Sequence, residues 1–379
     1  MGLAELGEFK KVNLPKPGDG QDRHMAMLEA IAPFARSVSK NLTEVKIIPS
    51  TKKSKAIFVL LPEWSPMMAP FNIARLSSVV LKAGYQTKCY DINAKLYKQH
   101  PKWIEDGKID YNPWDGARSF KWDQHYYFEE LHNLALPTLE YYLDEIEREK
   151  PDFVGLTMYY CNESPVIWFA QELKKRLPNV KLGLGGPGMH LRFHQVQHEP
   201  PYFENGRHLF DYAVTGEGEQ LILQILAEIE QGYKKEGIQM LSQQGKERLN
   251  LNNFPIPDYK DFDFNDYEIS NGMLTEFSRG CVAKCTFCEE THFWNYRQRQ
   301  AISAIEEIEH MYYTYGTNVI WFLDSLVNGN LSELRAFCKA VVAKQMEIKW
   351  TGYSRCDVRM DDEYFKDLAA SGCFMLNYH

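Results

Sequence analysis

The sequence contains no run of 18 apolar residues, which excludes a conventional membrane-spanning helix. Residues 1–11 lack the apolar core of a secretory signal, so the expected location is the cytoplasm. Basic residues are not in excess: 43 Lys and Arg stand against 51 Asp and Glu, for a net charge of -8. That balance argues against general nucleic-acid binding, which needs a basic face. No low-complexity tract stands out. Cysteine is scarce, at eight residues, and in a reducing compartment these are expected as thiols or metal ligands rather than disulfides.

An apolar share of 44%, with 13% aromatic, is enough for large buried cores. At roughly 100–200 residues per domain, the length predicts two domains or three. Residues 1–54 read as an N-terminal extension with one helix over 22–39. From residue 55 to 231, strands and helices alternate. Strands are predicted at 56–61, 86–90, 153–158, 181–184 and 212–214, and helices at 72–83, 137–149, 164–176 and 220–231. This order predicts a doubly wound parallel sheet covered on both faces. Residues 96–135 carry Trp103, Trp114, Trp122, Tyr126 and Tyr127 without a clean period. They read either as an insertion packed on the sheet edge or as a lid over a ligand. Residues 232–270, with F-P-I-P-D-Y-K-D-F-D-F, read as an extended linker that packs on its neighbours. Over 271–379 a second α/β alternation begins, with strands at 274–278, 319–323, 348–353 and 373–378. Helices at 301–315, 331–344 and 361–371 separate them, at the spacing of a barrel.

The chemistry concentrates just after the first strand of that second region. The segment S-R-G-C-V-A-K-C-T-F-C-E-E gives Cys281, Cys285 and Cys288 in the spacing Cys-x3-Cys-x2-Cys. Three thiolates on one short loop can bind three irons of a four-iron cluster and leave the fourth iron open. An open iron can take a small chelate such as the amino and carboxylate groups of S-adenosylmethionine (SAM). The competing reading is a zinc site, with His292 as a fourth ligand. Two strand ends add polar groups. Asp324 closes W-F-L-D, and Arg355 closes G-Y-S-R, where a guanidinium could fork onto a carboxylate. The alternative for both is a strand-end cap or salt bridge. Cys338, Cys356 and Cys373 read as small buried hydrophobes.

The cysteine segment resembles the radical SAM superfamily, whose pattern is C-x3-C-x-aromatic-C. Here the pattern is carried by Cys281, Cys285, Phe287 and Cys288. The resemblance implies a partial (βα)6 barrel with a 4Fe-4S cluster in the loop after its first strand and SAM across the top. It gives Phe287, Asp324 and Arg355 as SAM contacts. The family's Gly-Gly-Glu at the end of the second strand is absent. The preceding region resembles the cobalamin-binding domain of one class of these enzymes, in A-P-F-N-I-A-R-L-S-S-V-V-L-K-A-G-Y, K-P-D-F-V-G-L-T, G-L-G-G-P and D-Y-A-V-T-G-E-G-E. That resemblance assigns Thr157, Gly185 and Gly186 to cobalamin. On pattern alone, the glycines could equally just turn the chain. The cobalt-binding D-x-H-x-x-G is missing after the first strand.

The implied function is a cobalamin-dependent radical SAM methyltransferase acting on an unactivated carbon, with a flavodoxin or ferredoxin as reductant. The alternatives are radical chemistry without cobalamin and a metal-stabilised binding protein. The substrate is not readable, although the aromatic insertion suggests a large or flat one. The sequence stops at the fourth of six expected barrel strands. A missing segment or a separate chain is therefore expected to complete the barrel.

Overall fold

The computed structural model describes residues 54–123, 126–159, 161–189, 206–232, 237–243, 248–286, 288 and 294–378, together with 29, 42, 43 and 46. The helix expected over 22–39, Phe287 and His292 lie outside the described residues. The chain forms two compact units. One comprises Lys46–Lys246 with Pro255–Tyr267, and the other Met1–Val45, Glu247–Phe254 and Glu268–His379.

The first unit is built on six parallel strands. They are β1 (Lys55–Leu60), β2 (Gln86–Asp91), β3 (Phe153–Thr157), β4 (Lys181–Gly185), β5 (Tyr212–Thr215) and β6 (Gln239–Ser242), in the order β2-β1-β3-β4-β5-β6. The helices are α1 (Phe71–Lys82), α2 (Ile92–Glu105), α3 (His132–Glu149), α4 (Glu163–Arg176) and α5 (Gly218–Glu230). β1 is buried along nearly its whole length, as expected for a strand covered on both faces. Ile57 and Val59 join one large core with residues of α2, α3 and α4, while α1 and α5 pack against each other. The expected doubly wound sheet is therefore present. β6 falls in the stretch read as linker. Its residues are half-buried or exposed, so Q-M-L-S carries little of the apolar signal that marks an interior strand.

Most of the rings named in the aromatic insertion are core, whereas Tyr126 is exposed, as are its neighbours Phe120 and Phe128. Trp103, Trp114, Trp122 and Tyr127 are buried in the main cluster of this unit. Their polar edges are satisfied internally: Trp114 Nε1 donates to Asn93 Oδ1 at 2.8 Å, and Trp122 Nε1 donates to Pro113 O at 3.1 Å. The buried rings therefore lend no support to a flat substrate. No period was visible because the backbone passes through a 3-10 turn (Ser119–Trp122) and a π turn (Tyr127–Leu131) before α3 begins.

The repeated Asp/aromatic pairs at 258–267 have a defined use. Asp258 accepts from Ser77 Oγ at 2.8 Å, Asp261 accepts from the Cys89 N–H at 2.8 Å, and Tyr267 OH donates to Asp91 at 2.8 Å. These carboxylates fasten the segment along β2 and α1.

The second unit has four parallel strands. They are β7 (Gly272–Thr275), β10 (Val319–Phe322), β11 (Lys349–Ser354) and β12 (Cys373–Tyr378), in the order β12-β11-β10-β7. Between β7 and β10 lies a two-residue antiparallel pair, β8 (Ser278–Arg279) with β9 (Arg297–Gln298). Helices α6 (Ala301–Tyr315), α7 (Leu331–Ala343) and α8 (Asp362–Ala370) make the crossovers. Phe277, Phe322, Phe337 and Trp350 meet largely edge-to-face, with centroids 5.5–6.0 Å apart, under this sheet. No helix among the described residues is long and apolar enough to cross a membrane.

Trp122 is fully buried, and truncating such a ring leaves a cavity. Trp122→Ala is expected to lower the stability of the first unit by about 3–5 kcal/mol, read as a reduced urea midpoint.

Candidate functional site

The three-cysteine loop is anchored at both ends before any ligand is considered. Ser278 pairs with Gln298 and Arg279 with Arg297, and a further bridge joins Cys281 to Asn295. Gly280 sits at φ 76, and a Cβ there would stand 2.8 Å from Trp294 O. Only glycine fits this entry into the loop. Cys281 and Cys288 are half-buried and Cys285 is exposed. The Cys288 N–H donates to Cys285 O at 3.2 Å, and the Ala283 N–H reaches Cys281 Sγ at 3.4 Å. By contrast, Cys89 and Cys338 are buried, and burial pushes their thiols well up, which leaves them inert. Cys373 is half-buried. Cys356 is exposed, contrary to the expectation of a buried hydrophobe, because it lies in the loop beyond β11. Among the described residues, no three His, Cys, Asp or Glu side chains are drawn together closely enough to hold a metal ion. The donor set still suits a cluster: three accessible thiols on one loop, and no fourth ligand among the described residues.

Asp324 lies at the end of β10 and is almost wholly buried. Its Oδ2 accepts from the Phe277 N–H at 2.8 Å, at the point where β7 gives way to β8. Its Oδ1 is buried with no hydrogen-bond partner. Burial raises this carboxyl to about 7, and hydrogen bonding to Phe277 and Ser278 pulls it partly back. Three more contacts tie the same loop to the β8–β9 pair. Ser278 Oγ donates to Leu326 O at 2.9 Å, Gln298 Nε2 donates to Val327 O at 3.3 Å, and Gly329 faces the Tyr296 ring.

Arg355, at the end of β11, is exposed, and its guanidinium has no hydrogen-bond or ion-pair partner among the described residues. Its main chain is held on both sides by Asn328. The Arg355 N–H donates to Asn328 Oδ1 at 3.1 Å, and Asn328 Nδ2 donates to Arg355 O at 2.7 Å. Sequence reasoning missed Asn328. A cavity of about 530 Å³ opens beside Val282, with Tyr296, Asn330, Arg335 and Arg359 in its wall. Both arginines there already pair with carboxylates, Arg335 with Asp367 at 2.9 Å and Arg359 with Asp357 at 2.6 Å.

In the first unit, the strand order reverses between β1 and β3, the place where open α/β sheets bind ligands. The loops meeting there are rigid. Asn162 accepts from the Tyr159 N–H at 2.8 Å and donates to Thr157 O at 3.0 Å and Leu61 O at 3.3 Å. Trp64 stacks on Tyr159 at 4.0 Å. Cys161 donates to Glu63 Oε2 at 3.1 Å, and burial pushes both groups up, which keeps the thiol protonated at neutral pH.

The three residues assigned to cobalamin separate here. A Cβ at Gly186, which has φ 110, would fall 2.7 Å from Met158 O and 3.0 Å from the Thr157 methyl. Gly186 and Thr157 thus pack loop on loop. A Cβ at Gly185 would meet only Val214, at 3.8 Å. Gly185 is therefore the one of the two glycines at which a Cβ would make ordinary contact without a clash.

No family model matches the chain. It is 25% identical over 199 residues to an anaerobic magnesium-protoporphyrin IX monomethyl ester cyclase of Synechocystis, covering 49% of this chain and 38% of that protein. Its structure superimposes on the radical SAM methyltransferase TsrM of Kitasatospora setae with a TM-score of 0.58 at 16% identity, over 86% of this chain and 58% of that one. It also superimposes on the cobalamin-dependent SAM radical enzyme OxsB with a TM-score of 0.57 at 14% identity, over 94% of this chain and 49% of that one. The chain shares the fold of these SAM radical enzymes. They belong to the class that the cysteine segment resembles. The chain spans less than two thirds of each of these proteins.

The raised Asp324 carboxyl predicts a pH effect with a definite sign. Between about pH 4 and 7 the folded state keeps a proton that the unfolded state has lost, so unfolding releases it. The contribution is complete at the acid end and disappears as pH rises through about 7. Urea unfolding at pH 5 and pH 8 should show wild-type losing stability relative to Asp324→Asn across that interval.

Proposed function

We propose that the chain is the catalytic front of a radical SAM enzyme, and that its first unit carries cobalamin for methyl transfer to an unactivated carbon. The carrying observation is the three-thiol loop at the carboxyl end of the first strand of a parallel sheet, beside a buried carboxylate with one oxygen unpaired. In this reading Cys281, Cys285 and Cys288 hold a 4Fe-4S cluster. Bound there, a cluster supplies one electron to a SAM sulfonium and breaks a carbon–sulfur bond, while cobalamin supplies a methyl carrier.

The chain's own residues have separate tasks. Arg355 presents a free guanidinium to the amino-acid carboxylate of SAM. Asp324 Oδ1 accepts from a donor on the same ligand, which would satisfy an otherwise costly buried oxygen. Phe287 would be a further SAM contact, as the resemblance of the cysteine segment implies. Gly185 leaves space for the cobalamin at the carboxyl edge of the first sheet. The reductant is of flavodoxin or ferredoxin type.

A second reading, radical chemistry without cobalamin, draws on Gly186 and Thr157. Their shapes are already accounted for by the packing of the chain on itself.

After anaerobic reconstitution with iron and sulfide, the protein should show a broad visible absorption band and release 5′-deoxyadenosine from SAM under reduction. The variant with all three cysteines changed to alanine should have neither iron nor product. Zinc in place of iron in oxygen-free material would support a structural metal site instead. The two readings of the first unit separate in a hydroxocobalamin titration. Gly185→Val should weaken binding at unchanged thermal stability if cobalamin lies on that edge. Absence of any wild-type binding would favour the second reading.

A further inference from the structure

Asn328 is almost fully buried, yet none of its amide is spent on its own loop. Its Oδ1 and Nδ2 bond the N–H and C=O of the same distant residue, Arg355, as a neighbouring strand would. The loop bearing Asn328 cannot drift, because it is fixed from both sides. Towards the cysteine loop it is held by Asp324 on Phe277, Ser278 on Leu326 O and Gln298 on Val327 O. Towards β11 the Val327 N–H donates to Tyr353 O at 2.9 Å. A continuous set of hydrogen bonds therefore runs from the base of the cysteine loop through residues 324–328 to the main chain of Arg355. Past the end of β11 the ladder no longer holds the chain, and Asn328 supplies the last main-chain contact before the exposed loop.

We propose that Asn328 is a positioning residue. It sets the distance between the cysteine loop and the Arg355 guanidinium, and so determines affinity for ligands that carry an amino-acid carboxylate. The proposal rests on the reading of Arg355 given above. It adds a residue that touches neither cluster nor ligand and that acts only through another side chain. Loss of Asn328 frees the Arg355 main chain, and the guanidinium then pays an ordering cost on binding.

The test uses the anaerobically reconstituted protein and two probes, SAM and 5′-methylthioadenosine, which keeps the nucleoside and sulfur but lacks the amino-acid end. Dissociation constants are measured by calorimetry for wild type, Asn328→Ala, Arg355→Ala and the double variant, with iron content and melting temperature alongside. In Asn328→Ala, SAM should bind on the order of tenfold more weakly, about 1.4 kcal/mol, with 5′-methylthioadenosine unchanged. Arg355→Ala should show the same selectivity, and the double variant should lose no more than Arg355→Ala alone. Equal weakening of both probes, full additivity, or an Asn328→Ala protein that binds SAM like wild type would overturn the proposal. Arg355 is exposed, so its variant reads the contact even if Asn328→Ala does not fold, and a neutral Arg355→Ala overturns the proposal by itself. Wild-type protein that holds no iron and binds neither probe would instead remove the radical SAM reading.

Discussion

The bond from the Phe277 N–H to Asp324 is the fixed point of the second unit. Phe277 lies two residues past the end of β7, and Cys281 follows four residues later. Its carbonyl is also held, by the Arg299 N–H at 2.8 Å, so both main-chain groups of this one residue are spent on neighbouring segments. From there the short β8–β9 pair can leave the sheet in only one direction. Burying a carboxylate to achieve this is costly, and one of its oxygens remains unsatisfied. A buried polar atom without a partner calls for a physical explanation, of which an ion, a water or a catalytic role is one kind.

Where its strand order reverses, the first unit solves the same problem with neutral groups. Its strand-end loops are held by two amides, Asn93 and Asn162. Asn93 bonds both the N–H and C=O of Trp64, at 3.1 and 3.0 Å, and Asn162 serves three main-chain groups. Amides complete such networks without a desolvated charge. One edge is therefore rigid and largely satisfied. The other is rigid but carries an unpaired acceptor and an unpaired cation.

Much of this was legible from residue order. Parallel strands such as 56–61 and 319–323 appear as short apolar runs bounded by turn residues, and the cysteine spacing needs no fold to be noticed. Other features were not legible, each for a physical reason. β6 is an edge strand with little buried surface, so its residues carry no period. The rings at 114–127 pack from irregular backbone, which scatters them in sequence. Gly185 and Gly186 look alike in G-L-G-G-P. They differ only in what a Cβ would strike, and that depends on Met158 and Thr157, some 30 residues earlier. Asn328 sits in V-N-G-N, which reads as an ordinary turn, and its partner lies 27 positions away.

Gly329 faces the ring of Tyr296 so closely that a Cβ would fall 2.3 Å from Cζ and 2.4 Å from the hydroxyl oxygen. Two positions 33 apart in the chain therefore compete for a single volume. Descendants of this sequence can enlarge one of them only after shrinking the other. The order in which such changes are inherited is thus constrained, with the loss of the ring coming first.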